Sequence, residues 1–324
     1  MLPKMFKLQM TVYFQIIGVI IIFCFIFSSC LSLKNIEKPS VCITNDSRIF
    51  TTKDSLKIYI FDYKPIKNYK SVIFIISGIT GINHNNEQEI IELLSNGQHR
   101  IVIIHPRGTG YSDGIRGDMD DFSLFIDDYI NIIKSDSDYG SNEHPFILYG
   151  HSMSSAIAVS VAAQLDLIDG VILVNPPVIL KKAKGMSPKW PQYLQYMSYM
   201  IFAKHTPIVN MAGDSKWIEN EEDQKESDIR SNDSLLVKYF SMNMMLVSKK
   251  CMDSIIPQAK KVDIPLLLIY GLNDPLVDQK GCDLLYENWN SKEKRYETIV
   301  NGGHGKSTVI LAKPIINEWI DKIN

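Results

Sequence analysis

The sequence predicts an α/β fold in which helices cover both faces of a mostly parallel sheet. Short runs of apolar, often β-branched residues repeat along the chain, and segments with apolar residues at helical spacing lie between them. Most of these runs are apolar at consecutive positions, which is typical of parallel strands buried between two layers of helices. The alternation of strand and helix therefore indicates an open α/β sheet.

The predicted strands and helices alternate from residue 56 onward. Strands are predicted at residues 56–61, 71–76, 101–104, 146–149, 171–174 and 266–270, with a strand-like segment at 296–300. Helices are predicted at residues 87–94, 122–133, 152–165, 281–288 and 308–323, with Asp120 and Asp121 placed to cap the second of them. Because ligands of such sheets bind at the carboxyl ends of the strands, functional side chains are expected directly after the strands.

Composition and charge exclude several classes of function. The chain has 324 residues, enough for one large or two ordinary domains. Its 34 Lys and Arg side chains face 36 Asp and Glu, so the formal charge of −2 gives no overall attraction for nucleic acid. The five Cys are scattered and show no zinc-binding spacing, and we expect no bound metal.

The N-terminal segment predicts attachment to a membrane. Lys4 and Lys7 precede a long apolar stretch, residues 8–27, whose second half has no polar face, so we interpret residues 1–29 as a signal peptide or a membrane anchor. The stretch ends in Phe27-Ser28-Ser29-Cys30, which resembles a bacterial lipoprotein signal and makes Cys30 a candidate for lipid attachment. An uncleaved helix is the alternative. Both place the rest of the chain on the non-cytoplasmic side of the membrane.

A candidate nucleophile follows the predicted strand 146–149. The motif Gly150-His151-Ser152-Met153-Ser154 is close to the G-x-S-x-G nucleophile elbow, in which a serine lies on a strained turn and glycines leave room for the crowded backbone. Here serine takes the place of the last glycine. The hypothesis is that Ser152 is a catalytic nucleophile, and the alternative is that it only caps a helix.

Two further residues complete a candidate catalytic triad. A serine hydroxyl needs a general base, and the base needs an acid that orients it. Asp274 follows the predicted strand 266–270, and His304 lies in a Gly-rich loop after the strand-like segment. Serine, aspartate and histidine then occur in the chain order of α/β-hydrolase triads. Asp278 is the nearest alternative acid, and the position directly after the strand favours Asp274.

Backbone N–H groups that stabilise a negatively charged oxygen are expected beside the nucleophile. The first candidate is the N–H of Met153, directly after Ser152. The second is the N–H of Ile79, in the loop that follows the predicted strand 71–76. The alternative is that the glycines of that loop are only turn residues. We predict that both groups form an oxyanion hole.

The motifs together resemble a known family. From about residue 56 onward the chain resembles the α/β-hydrolase superfamily, specifically its monoacylglycerol lipase and lysophospholipase branch, also described as serine aminopeptidase S33-like. The resemblance is carried by Ser77-Gly78-Ile79, Arg107-Gly108-Thr109-Gly110-Tyr111-Ser112, Gly150-His151-Ser152-Met153-Ser154, Asn175-Pro176-Pro177, Gly271-Leu272-Asn273-Asp274 and Gly302-Gly303-His304. The chain departs from the branch at Ser77, where His is usual, and at Ser154, where Gly is usual.

An insertion rich in Met and aromatic residues divides the predicted hydrolase core. We expect a signal peptide or anchor at 1–29, a linker at 30–55, the first part of the core at 56–177, a cap at 178–262 and the second part of the core at 263–324. Flexible Met and aromatic side chains adapt to acyl chains. The candidate substrate-binding residues are Met186, Trp190, Tyr193, Met197 and Met200. The alternative is that they pack the cap onto the core.

The sequence as a whole predicts a membrane-attached serine hydrolase that cleaves a lipid-like carboxylic ester through an acyl-Ser152 intermediate, without a cofactor. The same residues support three other reactions: hydrolysis of a thioester, hydrolysis of an amide or a peptide N-terminus, and acyl transfer to an alcohol. A hypothesis from another class is a catalytically silent lipoprotein that binds an apolar ligand or partner. The oligomeric state is left open.

Overall fold

An eight-stranded sheet runs through the part of the chain that the computed structural model describes, residues 38–40, 44–141, 143–181, 190–211 and 218–323. The strands of this sheet are β1 (Ser47–Thr51), β2 (Lys57–Tyr63), β3 (Val72–Ile76), β4 (Arg100–Ile104), β5 (Phe146–His151), β6 (Gly170–Val174), β9 (Leu266–Gly271) and β10 (Lys294–Ile299). A two-stranded ribbon is formed by β7 (Val209–Asn210) and β8 (Tyr239–Phe240). All seven predicted strands are present.

The order of the strands brings the ends of the central strands to one edge. Across the sheet the order is β1-β2-β4-β3-β5-β6-β9-β10. The pairs β1·β2 and β2·β4 are antiparallel, and the pairs from β4 to β10 are parallel. The predicted α/β fold with a mostly parallel sheet is thereby confirmed. The segments that follow β3, β5, β6, β9 and β10 therefore meet at the same edge.

The helices of the described residues lie where the apolar spacing predicts them, and the cap adds others. They are α1 (Gln88–Ser95), α2 (Phe122–Lys134), α3 (Met153–Ala162), α4 (Trp190–Phe202), α5 (Glu221–Asn232), α6 (Met242–Asp253), α7 (Ile255–Ala259), α8 (Gln279–Asn288), α9 (Lys306–Leu311) and α10 (Lys313–Ile323). Asp121 caps α2, because its carboxylate accepts the N–H of Ser123. The predicted helix 308–323 is divided in two. Pro314, which has no N–H to donate, lies just after the break.

The sheet separates two apolar layers. Side chains of one strand alternate between them: Phe74 faces the layer built with α2, α3, α7 and α8, and Ile75 faces the layer built with α1, α9 and α10. Both strands that flank the candidate nucleophile, β3 and β6, are buried along their whole length. Successive side chains of a strand point to opposite faces of the sheet, and an apolar layer covers each face. These strands are therefore apolar at every position.

The strand β1 lies inside residues 30–55, which the sequence predicts as a linker. It pairs with β2 at the edge of the sheet, with Ser47 opposite Phe61. Its side chains are half-buried or exposed, so it lacks the apolar run by which the other strands are recognised. Arg48 adds ion pairs to Asp62 and Asp136. This edge strand is held by backbone hydrogen bonds to β2 and by ion pairs. Neither of these produces a periodic pattern of apolar residues in the sequence.

The segment between β6 and β9, predicted as the cap, contacts the loops at the carboxyl edge of the sheet. The guanidinium of Arg116 donates to the carbonyl oxygens of Gly110 and Leu235, and the N–H of Val237 donates to the carbonyl of Thr80. Among the described residues, no helix is long and apolar enough to cross a membrane. The predicted signal or anchor, residues 1–29, and Cys30 lie outside the residues that the structure describes.

Buried histidines predict that acid weakens the fold. Burial lowers the pKa of His84 and His99 and lowers that of His105 to about 3, so the unfolded chain binds protons that the folded chain does not. The free energy of unfolding should then fall as the pH drops below the unfolded pKa of about 6.5. Glu87, whose pKa burial raises, opposes part of this effect. We expect urea unfolding to show a loss of about 1 kcal/mol between pH 7.5 and pH 5.5.

The variant His105→Gln provides the control for this prediction. It removes the most strongly affected imidazole, and its stability should fall less between the two pH values than that of the parent chain. Equal urea midpoints for the parent chain at pH 7.5 and 5.5 would contradict the prediction.

Candidate active site

Ser152 lies at the junction of β5 and α3 in a backbone conformation that few residues adopt. Its φ is +54° and its ψ is −127°, and its N–H donates to the carbonyl of Val174 at 2.8 Å. Only glycine fits at position 150, because a Cβ there would lie 2.9 Å from the carbonyl oxygen of Ser154. The crowded turn points the Ser152 hydroxyl away from the helix and toward the edge of the sheet.

The structure brings Ser152, His304 and Asp274 together in one hydrogen-bonded chain. Ser152 Oγ lies 2.8 Å from His304 Nε2, and His304 Nδ1 lies 2.7 Å from Asp274 Oδ2. The second carboxylate oxygen of Asp274 accepts the N–H groups of Leu276 and Val277 at 2.7 and 2.9 Å. Because the Nδ1–H group donates its hydrogen bond to the carboxylate, Nε2 carries the lone pair that accepts the serine hydroxyl. This is the arrangement of a nucleophile, a base and an orienting acid.

The alternative acid, Asp278, has a different place. It precedes α8, and its carboxylate accepts the N–H of Lys280, which makes it the N-cap of that helix. Asp274, in contrast, is 1% exposed and directly bonded to the imidazole. Position after the strand and burial therefore distinguish the two carboxylates.

The loop that carries His304 is held through its carbonyl groups. His151 Nε2 donates to the carbonyl of His304 at 2.5 Å. Burial lowers the pKa of His151, and the neighbouring His304 lowers it further. His151 therefore stays neutral, and a proton on His304 meets no second positive charge at this position.

Asn175 is a site residue that the sequence motif contains but whose role sequence reasoning missed. Its side-chain amide donates to the carbonyls of Gly303 and His304 at 2.9 and 3.2 Å and accepts the N–H of Gly271 at 2.9 Å. The residue is fully buried and has φ +47°. It thus connects the ends of β6 and β9 to the histidine loop. The sequence signals this position by a polar residue directly after a buried strand, at the start of the motif Asn175-Pro176-Pro177.

The two predicted oxyanion donors line the same cavity. A Cβ at Gly78 would lie 3.4 Å from Ser154 Oγ and 3.8 Å from the Met153 side chain, so the β3 loop packs directly on the elbow. Within the described residues, the backbone N–H groups of Ile79 and Met153 donate to no protein acceptor. Both groups are therefore available to a bound oxygen.

Ser77, which departs from the family motif, fixes this loop. Its hydroxyl donates to the carbonyl of Ile104 at 2.9 Å, and its backbone N–H and carbonyl both bond to the hydroxyl of Tyr129. The loop is thus anchored from below by residues of β4 and α2.

A cavity of about 410 Å³ lies above Ser152 and His304. The wall on the core side is apolar and includes Ile75, Ile82, Ile90, Tyr149 and Val309. The opposite wall comes from the cap and includes Met211, Ile218, Leu236 and Val237. The charged side chains that line it are Glu87, Asp223, Glu226, Arg230, Lys238 and Lys306. Among the described residues, no group of three or more His, Cys, Asp or Glu side chains is placed to hold a metal ion.

The structure does not bring the predicted substrate-binding residues of α4 to this cavity. Trp190, Tyr193 and Met197 are 75%, 52% and 59% exposed, and neither they nor Met200 line the cavity. The helix α4 packs on α6, and Met200 is half-buried while the other three side chains are exposed to solvent. Apolar spacing identifies an apolar face but not what that face contacts. Met186, the fifth of these residues, lies outside the described residues.

The amino-acid sequence is similar to those of known hydrolases. A family model described as serine aminopeptidase, S33 matches residues 67–306. The monoglyceride lipase of Rattus norvegicus is 27% identical over 250 residues, which cover 75% of this chain and 78% of the relative. The human monoglyceride lipase is also 27% identical, over 251 residues with the same coverage.

A solved structure shows the same fold. The crystal structure of a soluble variant of monoglyceride lipase from Saccharomyces cerevisiae, in complex with a substrate analog, superposes with a TM-score of 0.71. The superposition covers 89% of this chain and 98% of that chain, at 17% sequence identity.

Proposed function

This chain belongs to the serine aminopeptidase S33 family and is a serine hydrolase with an α/β-hydrolase fold, and we propose that it cleaves the carboxylic ester of a lipid-like substrate. The proposed substrates are of the monoacylglycerol or lysophospholipid type. The observation that carries the proposal is the hydrogen bond between Ser152 and His304 beneath a largely apolar cavity. The similarity to monoglyceride lipases supports the choice of substrate class.

The geometry supports acyl transfer in two steps. His304 takes the proton of Ser152 as the serine oxygen attacks the ester carbonyl, and the N–H groups of Ile79 and Met153 receive the resulting oxyanion. His304 then gives the proton to the leaving alcohol, which departs and leaves the acyl group on Ser152. A water molecule repeats the sequence with His304 as its base and releases the carboxylic acid. Asp274 stabilises the imidazolium in both steps.

The walls of the cavity favour an acyl chain over a charged substrate. Each buried methylene contributes about 0.8 kcal/mol of transfer free energy to binding. The acids that line the cavity bond to the protein itself: Asp223 accepts two backbone N–H groups, Glu226 accepts one, and Glu87 pairs with Arg230 and Lys306. The lining as a whole is more apolar than polar. The ester is therefore the better supported substrate.

We propose further that the chain is attached to a membrane through its N-terminal segment, on the non-cytoplasmic side. One face of α4 supports this, since Trp190, Leu194, Met197 and Ile201 recur at helical spacing and are all more than half exposed. Exposed apolar side chains on one helix face are typical of contact with a membrane.

The first prediction concerns the nucleophile. Ser152→Ala should abolish labelling by a fluorophosphonate probe and reduce turnover of a short p-nitrophenyl ester about a million-fold, because the attacking oxygen is gone. Far-UV circular dichroism should be unchanged. Ser137→Ala, at an exposed serine outside the cavity, should label and react as the parent chain does. Turnover by Ser152→Ala within tenfold of the parent chain would remove Ser152 from the mechanism.

The second prediction concerns the acyl chain. Ile90→Phe should fill part of the core side of the cavity and lower kcat/KM for a decanoate ester about tenfold, while leaving that for acetate within twofold. The control Leu93→Phe overpacks the same helix at a buried residue that does not line the cavity. It should reduce stability without changing the preference for chain length. Equal losses on both esters for Ile90→Phe would contradict the proposed acyl site.

The third prediction concerns attachment. The intact chain should sediment with membranes, and the mass of the mature protein distinguishes the two forms of attachment. A chain that begins at an acylated Cys30, with a larger precursor in Cys30→Ala, indicates lipidation. A chain that begins at Met1, unaffected by Cys30→Ala, indicates a retained helix. A protein that is released in solution and begins after residue 30 would contradict the proposed attachment.

A further inference from the structure

The cap helix α5 contacts the loop of the catalytic histidine through two carboxylates. Asp223 accepts the N–H of Gly305 on one oxygen and the N–H of Ser307 on the other, both at 2.9 Å. Glu226 accepts the N–H of Lys306 at 2.7 Å. These are the first three backbone N–H groups after His304. The side chain of Asn220, which caps α5, also donates to the carbonyl of Asn301 at 3.3 Å.

The glycines on both sides of His304 leave the space that these carboxylates occupy. A Cβ at Gly303 would lie 2.0 Å from the nearer oxygen of Asp223, and one at Gly305 would lie 2.5 Å from an oxygen of Glu226. Neither glycine has a positive φ, so conformational freedom does not explain their presence. The carboxylates of the cap lie so close to both positions that a side chain would not fit, and this explains the two glycines.

The same helix also contacts the loop after β3, residues 77–81, which carries the predicted oxyanion donor Ile79 and is called the oxyanion loop below. Arg230, seven residues after Asp223, donates to the hydroxyl of Thr80 at 3.1 Å and pairs with Glu87 at 3.5 Å. Thr80 follows Ile79 directly. One helix of the cap therefore touches both the loop that carries the base and the loop that carries an oxyanion donor.

We propose that Asp223 and Glu226 are positioning residues, which hold the loop of His304 so that its imidazole stays within reach of Ser152. The inference rests on the proposed function of Ser152 and His304. Neither carboxylate contacts the reacting atoms, so their effect passes through the backbone of residues 305–307. The distance between Ser152 and His304 is then maintained only while α5 contacts the loop of His304. The cap therefore supports catalysis in addition to forming a wall of the cavity.

The first test separates positioning from substrate binding. Asp223→Asn keeps the size of the side chain but turns an NH₂ group toward a backbone N–H. We expect kcat for a short p-nitrophenyl ester to fall about 10- to 100-fold, as misplacement of a catalytic group by about 1 Å does, with KM within threefold. A rise in KM at unchanged kcat would assign Asp223 to substrate binding and overturn the proposal.

Other acids of the helix provide the matched comparison. Glu226→Gln should lower kcat in the same way, and it decides the question if Asp223→Asn does not fold. Glu222→Gln, at an exposed acid of the same helix that pairs with Lys225, should leave kcat within twofold. Equal losses in Glu226→Gln and Glu222→Gln would show a general effect of helix charge and overturn the proposal.

A double-mutant cycle tests the contact itself. Gly303→Ala should displace the Asp223 carboxylate and lower kcat as Asp223→Ala does. The double variant should then be no slower than the slower single variant, because both remove the same contact. Losses that multiply would mean that the two residues act independently, which would overturn the proposal.

Two measurements keep this inference distinct from the proposed function. Hydrogen exchange of the Gly305 and Ser307 amides should accelerate in Asp223→Asn, whatever the substrate is, and unchanged protection would overturn the proposal. A parent chain whose Ser152 never reacts with a fluorophosphonate would overturn the proposed function itself. A parent chain and an Asp223→Asn variant that react at equal rates would overturn only the positioning role.

Discussion

The backbone of Ser152, held at φ +54° between β5 and α3, is the constraint on which the site depends. A side chain displayed at the end of a buried central strand can be reached only by groups at the same edge of the sheet. The strand order supplies them, because β3 and β6 flank β5, and β9 and β10 follow β6 in the same parallel part of the sheet. His304 and Asp274 come from the ends of the last two strands, and Asn175 connects them to β6.

The cap completes the set of hydrogen bonds that holds the loop of His304. Side chains of the core, Asn175 and His151, bond to the carbonyl groups of this loop, and the N–H groups after His304 obtain their partners from Asp223 and Glu226 of the cap. Hydrogen bonds to carboxylates are among the stronger ones in proteins, and these lie at the edge of a largely apolar cavity. The same helix helps to enclose the cavity, so access of substrate and position of the base depend on one element.

Features that depend on neighbouring residues in the chain could be predicted from the sequence. Contacts between residues far apart in the chain could not. Strands, the elbow and the triad follow from apolar runs and from residue types directly after them. The partners of Asp223 lie more than 80 residues away, and no periodicity records that pairing. The apolar residues of α4 form a real pattern, but the pattern does not record what the face contacts, and the structure places Trp190, Tyr193 and Met197 in solvent and not at the cavity. The edge strand β1 was missed since its apolar content is low.

The departures from the family motif lie in the supports of the site and not in its reacting atoms. Ser77 stands where the family has a histidine. Its hydroxyl bonds to Ile104 and its backbone bonds to Tyr129, and these bonds hold the oxyanion loop in place. Ser154 replaces a glycine, and its hydroxyl leaves room for Gly78, at which an added Cβ would lie 3.4 Å from Ser154 Oγ. A binding protein that had lost catalysis would have no need to keep a buried Asp274, or two N–H groups that meet no acceptor among the described residues, beside a strained serine. Keeping such groups is costly for a fold, and their coexistence at one edge argues for turnover.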